Sequence, residues 1–153
     1  MTSRRARAPA LALASALTIA VTGCGASSSV SARQLRAEAA RACTTATQRL
    51  DRIPTPHVPS QGAAFLRRGI AALRPQVHSL AGLHPDGELG DRFAQARTAT
   101  EQELTALESS LKGVRAGNDP VVAIKTLQAQ LAPLEKRASA AWLALRIPAC
   151  VDT

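Results

Sequence analysis

The sequence predicts an all-α protein, an antiparallel up-down-up-down four-helix bundle. Three observations carry that expectation. Four segments repeat apolar residues at steps of three and four, the period of an amphipathic helix. The links between them are short and rich in Pro, Gly, Asn and Asp, which favours antiparallel neighbours. No run alternates apolar and polar residues with period two, so a sheet is not expected. The 153 residues suffice for one ordinary domain.

The first helix opens at Ser31. Ser31 with Gln34 fits a capping box, and Val30 with Leu35 fits a hydrophobic staple around it. Its stripe is Leu35, Ala39, Ala42, Ala46, Leu50 and Ile53. Arg33, Arg36, Arg41, Arg49 and Arg52 occupy the other faces, and Cys43 lies at the margin. Pro54, Pro56 and Pro59 end the helix and stiffen the link. The second helix starts after Ser60, with Leu66, Ile70, Leu73, Val77 and Leu80 in register. Pro75 falls inside this pattern, which predicts a kink or a local break and not an end. Residues 82–87 (Gly-Leu-His-Pro-Asp-Gly) make a turn by composition.

The third helix is expected from about Glu88 to Val114, with Leu89, Phe93, Ala96, Thr100, Leu104, Leu107, Leu111 and Val114 on one face. Glu88 and Asp91 early, and Lys112 and Arg115 late, suit the helix dipole. Gly117-Asn118 closes it. The fourth helix opens with Asp119 as N-cap and Pro120 at the first helical position. Ile124, Leu127, Leu131, Leu134, Ala138, Ala141 and Leu145 form its stripe, across a second interior proline, Pro133. Trp142 lies beside that stripe, and Ile147-Pro148 ends the helix. Many stripe positions are Ala, which predicts close helix approach and a core thin in large side chains.

Ahead of the helices, residues 1–10 carry Arg4, Arg5 and Arg7 and no acid, and Leu11 to Val21 is an apolar run of eleven residues. These are the n-region and h-region of an export signal for the general secretory route. The run is too short to span a bilayer, which takes about 20 residues. Val21-Thr22-Gly23-Cys24 follows and resembles the bacterial lipobox: an aliphatic residue, two small residues, then Cys. The resemblance covers the leader and Cys24. It implies cleavage before Cys24 by lipoprotein-processing enzymes and a diacylglyceryl group on the Cys24 sulfur. Acyl chains such as palmitate would then hold the chain in membrane lipid, since each buried methylene adds about 0.8 kcal/mol. The resemblance therefore implies a lipid-anchored protein on the extracytoplasmic side of the cell membrane. Residues 1–23 are the expected signal peptide, 24–30 a lipidated flexible tether (its Gly-Ala-Ser-Ser-Ser run is linker-like), and 31–153 the bundle domain.

With Cys24 taken by lipid, Cys43 and Cys150 remain, and in an exported protein such a pair predicts a disulfide. It would close a loop of about 106 residues, for which chain-entropy arguments give about 4.7 kcal/mol as an upper figure. Cys43 stands about 17 Å along the first helix at the α-helical rise. Either the first turns of that helix extend below the end of the fourth, or the C-terminal tail folds back upward.

The tether enters the first helix at the end that also holds the 84–91 turn. The proline-rich link 54–59 and the 116–119 turn lie at the opposite, membrane-distal end. In composition and in Leu145-Arg146-Ile147-Pro148-Ala149-Cys150 and Gly117-Asn118-Asp119, the mature chain loosely resembles small helical exported lipoproteins of actinobacteria. That resemblance implies no activity.

The chain carries 19 Lys+Arg and 11 Asp+Glu. Arg4, Arg5 and Arg7 lie in the leader, so a chain starting at Cys24 keeps 16 positive and 11 negative side chains, a sum of +5. The excess is scattered, and the aromatics are only Phe65, Phe93 and Trp142. A nucleic-acid partner, which calls for a concentrated basic patch with stacking aromatics, is not expected. No H-E-x-x-H, G-x-S-x-G, P-loop, C-x-x-C-H or Glu-x-x-His pattern occurs. No nucleophile–base pair stands out, so an enzyme is not expected, and neither is a cofactor.

Two sets of residues remain. His78, His84, Asp86 and Glu88, with Asp91, cluster in sequence near one turn and are weak metal candidates, since their spacing matches no ligand pattern. His57 stands about 26 Å away along the second helix. Arg49, Arg52, Arg67 and Arg68, with His57, are candidate contact residues for an envelope protein or an anionic wall polymer. Charge on the outside of amphipathic helices is otherwise the default. The resulting expectation is a lipid-anchored envelope protein acting as a non-enzymatic interaction or structural module. The alternative is a small-ligand or metal-binding sensor or accessory protein.

Overall fold

The computed structural model describes residues 29–151, and these are all-helical. The helices are α1 (Ala32–Leu50), α2 (Gly62–Ala81), α3 (Gly87–Arg115) and α4 (Pro120–Ala144), with 3-10 turns at Pro59–Gln61 and Pro148–Cys150. The expected signal peptide (1–23), Cys24 and the start of the expected tether lie outside the described residues.

Local chemistry sets the helix ends. Ser31 Oγ accepts the Gln34 N–H at 3.3 Å, one half of the capping box. The Gln34 side chain does not return to close the other half and donates to Glu38 instead. Asp119 Oδ1 accepts the N–H groups of Val121 (2.8 Å) and Val122 (3.0 Å). Helices α3 and α4 both end in a Schellman motif. After α3, Gly117 takes φ +101° and Asn118 N–H reaches Gly113 O at 3.1 Å. After α4, Arg146 takes φ 59° and Ile147 N–H reaches Trp142 O at 3.0 Å. A left-handed arginine costs roughly 1–2 kcal/mol. It is held there because the motif buries Ile147 in the same cluster as Trp142.

Both interior prolines are accommodated without ending a helix. Each removes one backbone donor, which frees the carbonyls of Ala71 and Ala129. Both those residues are exposed, as are the prolines, so water replaces the lost donor.

Helix α1 packs on α2, α2 on α3, and α3 on α4. Specific contacts join each successive pair. Val30 N–H donates to His84 O at 3.2 Å, and Gln76 Nε2 donates to Cys43 Sγ at 3.2 Å. Arg74 pairs with Glu108 across α2 and α3. Phe93 meets Trp142 edge-to-face at 6.0 Å, and Ser110 Oγ lies 3.5 Å from Ala123 O, across α3 and α4. On its other side, α1 is met chiefly by the Pro148–Cys150 turn and not by the body of α4.

That turn carries the disulfide. Cys43 and Cys150 are bonded, with Cα atoms 5.1 Å apart. Arg36 Nε donates to Leu145 O at 3.0 Å, so α4 ends level with the second turn of α1. The chain then reverses at Arg146 and climbs α1 to Cys43, so of the two alternatives open from the sequence the tail folds back. Ser139 Oγ donates to Val151 O at 2.9 Å and pins the tail to α4 as well.

The core forms two clusters. One holds Leu35, Ala39, Cys43, Leu80, Phe93, Ala96, Trp142, Ile147 and Cys150. The other holds Ala46, Leu66, Ile70, Leu73, Leu104, Leu111 and Leu127. The buried polar residues Gln76, Thr100 and Glu103 fall between them along α2 and α3. Two side chains are deeper than the periodicity predicts. Cys43 is fully buried and not marginal, and Trp142, expected beside the stripe, is the largest fully buried side chain.

Opening the disulfide should loosen the first cluster. Its loss, in a Cys43→Ser/Cys150→Ser chain or under reductant, should lower unfolding free energy by about 2–5 kcal/mol. Urea titration followed by Trp142 emission measures this, and equal midpoints with and without reductant would show that the tail docks without the bond.

Candidate functional site

Cys24, the residue expected to be lipidated, lies outside the described residues. The metal candidates are brought together only in part. His78 is exposed on α2, His84 and Asp86 sit in the link before α3, and Glu88 is paired with Arg92. Among the described residues, no group of three or more His, Cys, Asp or Glu side chains is placed to hold a metal ion. Val30 docks on the His84 carbonyl and fixes this link to the start of α1.

The basic residues do not form one face. Arg49 lines a groove between α1 and α2, with Arg41 beside it. Arg67 lines a different groove, between α2 and α3, of about 440 Å³. There it meets Lys112 and Arg115 from the end of α3, over a floor that includes Ile70 and Leu111. Lys112 and Arg115 read in sequence only as dipole partners for their own helix. Their position beside Arg67 follows from the packing of α2 on α3. Arg74 also lines this groove, but Glu108 neutralises it at 2.7 Å. Arg52 and Arg68 are exposed and line neither groove.

His57 marks a third feature, of which the sequence points to one side only. The link before α2 folds against the first turn of α4 and leaves a cleft of about 330 Å³. Pro56, Val58 and Pro59 form one wall and Pro120, Val121 and Ile124 the other, with His57 and Lys125 also in the lining. The walls approach closely because Gly62 has no side chain: a Cβ there would stand 2.8 Å from Pro120 Cβ. Val58 is 48 % exposed, Val121 43 % and Val122 62 %. His57 N–H donates to Gln61 Oε1 at 2.9 Å, which ties the link to the turn before α2. Chain separation hides this cleft, since some 60 residues divide its walls.

The interior holds one ionisable outlier. Glu103 on α3 is only 7 % exposed and has no hydrogen-bond or ion-pair partner among the described residues. Burial, and next the carboxylate of Glu135 on α4, push its pKa up from 4.5 to about 7. Gln76 Oε1 and Trp142 Nε1 are buried without partners as well. The raised pKa of Glu103 makes this interior a place where the folded chain holds a proton.

No protein-family model, curated protein or solved structure matches the chain. The functional reading therefore rests on the residues and their placement.

Glu103 makes stability pH-dependent with a defined sign. The folded chain holds its proton up to about pH 7, whereas the unfolded chain releases it near 4.5. Its contribution is complete below the lower value and is lost as pH rises through the upper one. Glu103→Gln should raise unfolding free energy near pH 8 by up to roughly 3 kcal/mol, with little gain near pH 4. Urea titrations of both chains at the two pH values test this, and parallel profiles would refute it.

Proposed function

We propose that this chain is a lipid-anchored envelope protein, held on the extracytoplasmic side of the cell membrane by acylated Cys24. It acts there as a non-enzymatic interaction module. The observation that carries the reading is Val21-Thr22-Gly23-Cys24, placed directly after an arginine-bearing start and an eleven-residue apolar run. The other two cysteines are joined as a disulfide, a bond that persists in exported compartments.

The helices make an up-down-up-down antiparallel bundle in this reading, supported by Val30 meeting His84, Phe93 early in α3 meeting Trp142 late in α4, and Ser110 late in α3 lying near Ala123 early in α4. The tether then enters at the end where Val30 meets His84. The 54–59 link and the start of α4 stand at the far end, turned away from the membrane. No helix among the described residues is long and apolar enough to cross a membrane. Attachment in this reading comes from the acyl chains alone. The contact surfaces are the distal end and the cationic grooves, and the partner is an envelope protein or an anionic wall polymer.

The anchor has a direct test. Produced in an actinobacterial host, the chain should incorporate labelled palmitate and partition into the detergent phase. Cys24→Ser should lose both properties. Retention of label in that variant would overturn the anchor.

A further inference from the structure

The distal cleft is apolar, with one cation in its lining, and it belongs to a half of the molecule with excess positive charge. Val58, Pro120, Val121 and Ile124 give it apolar walls, and Lys125 stands in the lining. Residues 46–72 and 106–131, which build this half of the molecule, carry seven Lys and Arg against three acids. Two of those acids are already engaged. Glu108 is held by Arg74, and Asp119 accepts the first N–H groups of α4. Asp51 is the third, and it is exposed. This half therefore carries net positive charge that it does not neutralise itself, and Lys125 brings one such charge into the lining of the cleft.

We propose that this cleft docks an acidic peptide segment of a partner protein. One projecting apolar side chain enters the cleft, and an Asp or Glu beside it meets Lys125 within the positive field of this half. The proposal rests on the reading of this end as the contact surface, and not on acylation of Cys24.

Three features select this occupant. The apolar surface lies between the 56–59 link and α4 and has a volume of about 330 Å³, a size that suits one projecting side chain. In a symmetric pairing of two copies through this end, two net-positive halves would face each other, which like-charge repulsion disfavours. Finally, the walls are ordered before binding. Pro54, Pro56, Pro59 and Pro120 restrict the backbone and His57 N–H is fixed by Gln61, so little ordering cost falls on association.

The test is selection of displayed random peptides on the full chain in detergent micelles. Enriched peptides should share a large apolar residue flanked by Asp or Glu. A synthetic consensus peptide should bind more weakly as salt rises. Its affinity should fall about tenfold or more with Val121→Asp and, separately, with Lys125→Glu, the loss typical of a residue central to an interface. Both positions are exposed, and an unchanged melting curve certifies each variant; Val58→Asp repeats the apolar test from the opposite wall.

Failure to enrich any peptide overturns the proposal, as does a consensus without acids or one insensitive to these variants. Binding to phosphatidylglycerol vesicles that needs Val121, with no peptide enriched, would assign the cleft to a membrane surface instead. A dimer in sedimentation that Val121→Asp dissolves would assign it to a second copy. Loss of palmitate from the chain would leave all of these outcomes unaffected.

Discussion

The bond between Cys43 and Cys150 is the constraint on which the rest of this structure depends. Helix α1 has a broad contact with only one other helix, α2, and its apolar positions are mostly small: Ala39, Cys43 and Ala46 are buried behind a single leucine, Leu35. Such a face gains little from burial, since Ala contributes far less apolar area than Leu. The fourth side of the assembly is completed by the tail that returns from α4. The tail stays because the disulfide holds it, aided by Arg36 on the Leu145 carbonyl and Ser139 on that of Val151. The tail in turn positions Ile147 over Trp142, and Trp142 against Phe93. One covalent link thus organises the largest side chains of the core around the thinnest helix.

Much of this was legible in the sequence. Four amphipathic stripes, the Ser31 and Asp119 caps and the tolerance of both interior prolines all follow from local rules, and the structure contains each of them. The disulfide followed from compartment and counting. What local rules missed is angular. In a stripe rich in Ala and Thr, a shift of one position barely changes the apolar pattern, so Cys43 read as marginal and Trp142 as peripheral. The same ambiguity hid Gln76 behind Val77, which is only half-buried. Glu103 was invisible for a different reason. A glutamate in a helix is exposed by default, and only the packing of α3 beneath α4 places this one inside.

The functional surfaces show the same division. Arg49, Arg52, Arg67 and Arg68 look like one basic face when counted along the chain. Packing of α1 and α3 on opposite sides of α2 sends Arg49 and Arg67 into separate grooves. The cleft between the 56–59 link and α4 depends on Gly62 meeting Pro120, a contact no local pattern announces. Prolines that read as helix terminators therefore have a second role as walls.

The two halves of the molecule are stabilised by different means. The half near Val30 has the disulfide, the Trp142–Phe93 pair and the docked tail. The other half relies chiefly on Leu and Ile contacts, and several of its residues, such as Leu107, Leu131 and Val114, are only partly buried. Between them lies a layer whose polar groups are incompletely partnered: Gln76 has one amide atom unsatisfied, and Glu103 has no partner among the described residues. Unpaired buried polar atoms weaken the packing around them, so cooperative coupling between the halves is poorest at that layer. Local opening then costs least in the half that carries the apolar cleft and the cationic grooves, because low-stability segments are those with few buried contacts and no cross-link. Within that half the prolines of the 54–59 link and the Gln61 contact keep the cleft walls in place, so any opening falls on the helix contacts behind them.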